Sequence, residues 1–351
     1  MACNSVIARI LVVSPSPIEQ FVKNDAKTLS NWFKVTLLEA PHKGNLGRLF
    51  SHIRNSDIVL CWFGCRMAAL AVMFSKFMKK KTIVIAGGQD VANVTEIGYG
   101  LMRRPLHRFF IRYAFNNCDA AVAVSMFTVN ELLKWTSPKA VSMIYNGVEL
   151  ACYEHSASRE GVLCIAKIAK DTIKLKGIIT LFEAARLLPD VTFTLVGEIT
   201  GQIWQYLASM VPQNMKFTGK IDHDSVLKFC SSSRVYVQPS YYESFGVGLA
   251  EAMAAGCVPV VTRVGALPEV VGDTGFYVEY GNETALAEAI KKALRAKLDG
   301  RAVQRIRNHF TLDQRGVLLK KMITGLLQSG AVPRDLLVDA GNFNNYRHAR
   351  K

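Results

Sequence analysis

The sequence predicts an α/β protein built from two doubly wound, Rossmann-like domains, and three observations lead there. Residues 234–262 read as strand, loop, helix and strand in direct succession. Apolar segments of strand length alternate with segments of helical period through the N-terminal half. A chain of 351 residues is also long enough for two such domains, each with its own core.

Taken in order, Ala8–Ser14 is the first strand. Ile7–Ser14 is too short, and interrupted by Arg9, to act as a signal peptide. A helix over Phe21–Phe33, a strand over Lys34–Leu38, a helix over Leu46–Arg54 and a strand over Ile58–Phe63 follow. Ile58–Met78 approaches membrane-span length, but Arg66 and Lys76 interrupt it, so it reads as that strand and a mostly buried helix. Thr82–Ala86 is the next strand and leads into Gly87-Gly88-Gln89-Asp90-Val91. Loops at the carboxyl ends of such strands are where open sheets bind ligands. Asp90 suits a turn there as well as a binding role.

Leu101–Asn116 reads as one helix mixing Arg103, Arg104, His107, Arg108 and Arg112 with Phe109, Phe110, Ile111 and Phe115. Such a helix either lies on an anionic bilayer or turns its apolar face into the core. Ala120–Ser125 and Ser142–Tyr145 are further strands, and the polar stretch Glu149–Gly161 marks the domain boundary. The expected domains are residues 1–150 and 151–312, followed by a helix near 313–330 and a polar, basic, mobile tail over 336–351.

The second domain opens with a strand over Val162–Ala166 and a basic run carrying Lys167, Lys170, Lys174 and Lys176. Gly177–Leu188 is an amphipathic helix; Val191–Val196 is a strand ending at Gly197, and Lys216–Gly219 is another strand end. Asp224 is the expected cap of a helix over Ser225–Cys230. Arg234–Gln238 is then a short buried strand. Ser244 is placed to cap the helix that follows, and Gly256 suits the left-handed residue that ends it. Gly265–Glu269 and Asp273–Phe276 look structural, and Glu283–Leu298 and Asp313–Leu327 read as helices.

The junction before that central helix has a chemistry. Gly246 and Gly248 flank Val247 beside Phe245, so backbone N–H groups from Ser244 to Gly248 lie open to an anion. Glu243 precedes the helix, and Glu251 sits seven positions beyond Ser244, roughly 10 Å deeper on the same side. Each carboxylate could hold a vicinal diol while the helix tip neutralises a diphosphate between them.

The formal net charge is +15, and residues 1–150 hold 18 Lys/Arg against 9 Asp/Glu. Half of the residues are hydrophobic, and the mean hydropathy of +0.16 is high for a freely soluble enzyme. A basic, apolar N-terminal half points to an anionic partner, a membrane surface or a nucleic acid. The eight cysteines, Cys3, Cys61, Cys65, Cys118, Cys152, Cys164, Cys230 and Cys257, form no tight pair. They read as reduced thiols of a cytosolic protein rather than a disulfide or zinc framework.

Glu243, seven residues and Glu251, set in PSYYESFGVGLAEAMAAGCVPVV, resembles the signature of the retaining family-4 glycosyltransferases. The resemblance is specific over Gly161–Leu294 and recognisable in the N-terminal half. It implies the GT-B fold, two Rossmann-like domains facing across a cleft. It implies transfer of a sugar, of hexosyl type, from a nucleotide-diphosphate sugar with retention, without a metal or other cofactor. It places Lys167, in the family's Gly-Arg position, and Lys176 on the donor pyrophosphate, Glu251 on the ribose diol and Glu243 on the sugar hydroxyls. Gly197 and Gly219 fall where the nucleotide base passes. Asn146-Gly147-Val148 resembles the family's exit from the first domain. GGQDV resembles a loop that often reads His-Gly-x-Asp and faces the sugar; Gly87 stands at the His, and only Asp90 carries over. In the family the departing phosphate is thought to take the acceptor's proton.

Asp222-His223-Asp224 has the spacing of the metal-binding motif of the other glycosyltransferase fold, but helix capping explains it better. The acceptor expected is a glycan or a lipid-linked molecule, met in the cytoplasm or peripherally on the inner face of an anionic membrane. A sugar-nucleotide epimerase of the same fold and a non-enzymatic nucleic-acid-binding protein are the alternatives. The second lacks a recognition motif, so no nucleic acid is expected.

Overall fold

A computed structural model describes residues 7–40, 46–150 and 159–338. Residues 339–351 of the expected tail and the middle of the expected boundary, with Cys3 and Cys152, lie outside the described residues; 336–338 instead reach Val141–Met143, where Val338 N–H donates to Val141 O at 2.9 Å. The described residues divide into two compact units: 7–40, 46–95, 99–147 and 312–338 form the first, and 96–98, 148–150 and 159–311 the second.

In the first unit the chain runs β1 (Arg9–Pro15), α1 (Gln20–Leu29), β2 (Lys34–Ala40), α2 (Leu46–Arg54), β3 (Ile58–Trp62) and α3 (Arg66–Phe77). It continues through β4 (Lys81–Ala86), α4 (Pro105–Asn117), β5 (Ala120–Ala123), α5 (Met126–Leu133) and β6 (Val141–Met143). The six strands pair in parallel in the order β2-β1-β3-β4-β5-β6. β3 is buried at every residue, as a parallel strand covered on both faces must be. The helix expected over Leu101–Asn116 is broken, because the residue before a proline is steered away from helical angles. Arg104 is extended (φ −96°, ψ 119°), and Pro105 opens α4 behind a short 3-10 turn over Leu101–Arg103.

The second unit runs β7 (Glu160–Ile165), α6 (Ile173–Lys176), α7 (Ile178–Arg186), β8 (Phe193–Val196), α8 (Gly201–Leu207), β9 (Met215–Gly219) and α9 (His223–Ser232). Then come β10 (Ser233–Gln238), α10 (Val247–Ala254), β11 (Val258–Thr262), α11 (Leu267–Val271), β12 (Phe276–Val278), α12 (Glu283–Arg295) and α13 (Arg301–His309). This sheet is also parallel throughout, in the order β12-β11-β10-β7-β8-β9. The cap of α9 is Asp222, whose carboxylate accepts from Ser225 N–H, and not Asp224; the helix starts two residues before the apolar period does. No helix among the described residues is long and apolar enough to cross a membrane.

The last helix, α14 (Leu312–Gln328), belongs to the first unit. Arg315 on α14 meets Asp25 on α1 through two bonds, Nε to Oδ1 at 2.6 Å and Nη2 to Oδ2 at 2.8 Å. Their side chains are only 3% and 2% exposed. Trp62 Nε1–H donates to Asp25 Oδ2 at 3.1 Å, and Arg315 Nη1 donates to the carbonyls of Ile144 and Tyr145. A buried ion pair so fully bonded is costly to break from one side. Arg315→Ala is expected to lower unfolding free energy by about 3–5 kcal/mol in urea titrations. Asp25→Leu combined with Arg315→Met should recover at least half of that loss.

Candidate active site

In the second unit the strand order reverses between β7 and β10, which lie side by side. Ligand crevices of open α/β sheets form at such a reversal, outside the carboxyl ends of the strands. The segment after β7 delivers Lys176 there, and the segment after β10 delivers Glu243. Their meeting depends on Gly177, which is left-handed at φ +62°. A Cβ at that position would stand 2.0 Å from the carbonyl oxygen of Pro239. With no Cβ the two backbones touch, and Tyr241 N–H donates to Leu175 O at 2.8 Å. Lys176 Nζ then lies 2.8 Å from Glu243 Oε2. Gln238 Nε2 donates to the same oxygen at 2.7 Å, and the Tyr236 hydroxyl donates to Gln238 Oε1 at 3.3 Å.

The helix after this loop does not begin at a Ser244 cap. Ala266 N–H holds the carbonyl of Glu243 at 2.9 Å, and Gly265 packs so closely that a Cβ there would come within 2.1 Å of the same oxygen. The chain is released from this grip only at Gly246, left-handed at φ +89°, and α10 starts at Val247 without a side-chain cap. Phe245 turns into the core, its ring 5.7 Å from that of Phe310. Ser244 is buried as well, whereas Val247 and Gly248 stay partly exposed. The first N–H groups of any helix lack intrahelical partners, so this tip remains suited to an anion.

Because α10 starts late, Glu251 lies about 6 Å along it rather than the greater depth expected from Ser244. Glu251 is 9% exposed, and its Oε1 is 2.7 Å from His223 Nε2 on the first turn of α9. That bond raises the His223 pKa above its ordinary value, with burial opposing it. Sequence reasoning missed His223 and Gln238. His223 sits in a tripeptide that reads as a helix cap or a metal motif, and its partner is 28 residues away. Among the described residues no group of three or more His, Cys, Asp or Glu is arranged to hold a metal ion.

Gly197, Gly219 and Lys167, expected from the sequence on the donor side, lie at or just beyond the carboxyl ends of β7, β8 and β9. Gly197 (φ +142°) ends β8 against Ala166, whose oxygen would be 2.2 Å from an added Cβ. Gly197 N–H donates to Gly219 O at 3.1 Å, tying the ends of β8 and β9. Lys167 pairs with Glu198 at 3.5 Å in an exposed contact of little energetic weight. Part of the basic run is a helical turn, α6, which brings Lys176 to Glu243, while Lys167 stays on the exposed side with Glu198.

Asp90 is in the first unit and is fully buried. Its Oδ2 accepts from Gly64 N–H at 2.7 Å and its Oδ1 from Gly88 N–H at 2.8 Å. Both carboxylate oxygens of Asp90 are thus engaged by the backbone of the turn. Burial pushes its pKa up to about 6, with those N–H donors pulling the other way. Gly87 has a steric cause: a Cβ there would meet the Phe63 ring at 2.2 Å. Phe63 itself is held at φ +66°, a strained conformation for an aromatic residue.

Residues 159–296 match the family model described as glycosyl transferases group 1. An uncharacterized glycosyltransferase of Methanocaldococcus jannaschii is 30% identical over 189 residues, 52% of this chain and 52% of that protein. The chain spans about half the length of the curated relatives it matches. Sucrose-phosphate synthase from Thermosynechococcus elongatus superposes with a TM-score of 0.73 at 17% identity, over 92% of this chain and 100% of that one. HepE of Anabaena, solved in complex with UDP-glucose, gives 0.75 at 15% identity, over 91% and 100%. At such identities the likeness is one of fold, and the fold is GT-B.

Two titrations check this geometry. The amide shifts of Gly64 and Gly88 should follow Asp90 with a midpoint of about 6. For His223 the folded pKa exceeds the unfolded one, so its stabilisation is complete below pH 6.5 and is lost as pH rises through the folded value. The stability gap between the wild type and His223→Gln, read by urea unfolding, should therefore narrow above pH 6.5.

Proposed function

We propose that this chain is a glycosyltransferase that moves a hexosyl group from a nucleotide-diphosphate sugar to a glycan or lipid-linked acceptor, with retention at the anomeric carbon. The observation that supports it best is the Lys176–Glu243 pair at the strand-order reversal, 2.8 Å apart beside the open tip of α10. The family match over the same residues and the UDP-glucose bound by HepE favour a nucleotide-sugar donor.

In this reading the diphosphate lies on the backbone of Val247 and Gly248 and draws Lys176 to itself, with Lys167 at the rim. Glu243 is thereby released to accept hydrogen bonds from the sugar hydroxyls, and Gln238 keeps it oriented. Glu251 takes the ribose diol, while Gly197 and Gly219 leave room for the base. The bond from C1 of the sugar to the diphosphate breaks, and the acceptor oxygen bonds to C1 on the same face. The acceptor's proton passes to the departing phosphate oxygen. Lys176 and the helix tip supply the positive charge that the leaving group needs, so no metal or other cofactor enters this reading. Asp90 serves the first unit by holding the Gly87–Val91 loop. The basic side chains of α4 suit an anionic surface at the cytoplasmic face of a membrane.

Thermal-shift titration with nucleoside diphosphates and their sugars tests the donor site. Glu251→Ala should abolish the shift for every ligand, whereas Glu243→Ala should remove only the added shift given by the sugar. Once a turnover pair is found, Lys176→Ala should lower the rate by about 10²–10³, and NMR of the product should show the donor's anomeric configuration. No stabilisation by any nucleotide, or an inverted product, would overturn the reading.

A further inference from the structure

The first unit has a reversal of its own. Its strand order turns between β1 and β3, and a cavity of about 600 Å³ opens at the carboxyl ends of β1, β3 and β4. Pockets of that size hold whole small ligands. Phe63, Met67 and Phe110 contribute apolar walls, Arg66 and Arg104 contribute the cations, and His107 adds an imidazole that can donate a hydrogen bond. Against these stands one exposed carboxylate, Glu19, since Asp90 is bound to backbone N–H groups.

The cations sit where a helix tolerates them least. Arg66 is the first residue of α3; Arg104 precedes α4, and His107 lies in its first turn. Neither helix has a side-chain cap or an acidic residue in its first turn. Positive side chains at a positive helix end repel, and a bound anion reverses the sign of that interaction. Leu106, also on the pocket wall, is 66% exposed, and Phe109 on the same helix is 64% exposed. Leu106 thus carries apolar surface from the pocket wall out to solvent, and Phe109 stands three residues further along α4, on a neighbouring helix position.

We propose that this pocket takes a phosphate ester carried on a hydrocarbon chain, which makes the acceptor a phosphate-linked lipid. The phosphate lies among Arg66, Arg104 and His107, and the chain follows Leu106 and Phe109 outward. Glu19 and Gln89 on the wall are left to bind hydroxyls of the group that receives the sugar. The assignment of an acceptor, though not of the pocket's ligand, rests on the function proposed above.

Calorimetric titration with farnesyl phosphate, farnesol and inorganic phosphate is the test, with a nucleoside diphosphate titrated in parallel. Farnesyl phosphate should bind at least tenfold more tightly than either fragment. Arg66→Gln with Arg104→Gln should weaken it at least tenfold, with a melting temperature that is not lowered and an unchanged nucleotide affinity. Leu106→Glu, at an exposed position, should weaken it too. Equal affinity for farnesol, or indifference to both variants, would overturn the proposal. So would binding to phosphatidylglycerol vesicles that farnesyl phosphate does not compete away, which would make this face a bilayer contact. Nucleotide binding without farnesyl phosphate binding removes the pocket and spares the transferase; the opposite result does the reverse.

Discussion

The candidate site depends on one close approach, the backbone of Gly177 against the carbonyl of Pro239. Because no Cβ intervenes, α6 ends against the loop that follows β10, and a lysine from one strand connection reaches a glutamate from another. Gly265 performs the same service on the other side, where its bare backbone lets Ala266 grip the carbonyl of Glu243. The loop between Pro239 and Gly246 is thus held from two directions before α10 begins. Precision of this kind comes from backbone contact, which has fewer freely rotating bonds than a side-chain contact.

Two buried aspartates show how the first unit treats charge in its interior. Asp25 is met by a guanidinium in a planar two-bond contact and by an indole N–H, so its charge is neutralised where it lies. Asp90 has no cationic partner among the contacts described and relies on backbone N–H dipoles, and burial pushes its carboxyl up to about 6 against them. The first arrangement fixes a helix that returns from a distant part of the sequence. The second shapes a loop at the carboxyl edge of the sheet, beside the cavity.

Much of this was legible in the sequence because it is local. Strand–helix alternation, the glycines around α10 and the seven-residue spacing of Glu243 and Glu251 are all properties of short windows. What escaped is what no short window contains. The start of α10 is fixed by Gly265, some twenty residues downstream of Glu243, so propensity alone favoured Ser244 as the cap. His223 finds Glu251 only once α9 and α10 pack together. Gly87 looked like the loss of a functional side chain, and the cause is the Phe63 ring arriving from a neighbouring strand end. Pro105 is the exception: its effect on the residue before it is local and is written in the sequence.

The scattered thiols have a use. Cys61 and Cys118 lie sealed in the core of the first unit, and Cys164, Cys230 and Cys257 in that of the second, all without disulfide partners. Burial pushes these thiols well above the ordinary range, so a native sheet shields them from alkylating reagents both sterically and electrostatically. Each sulfur meets reagent when its own half of the chain opens. Peptide-resolved alkylation could therefore time the loosening of one lobe separately from the other, with no engineered label.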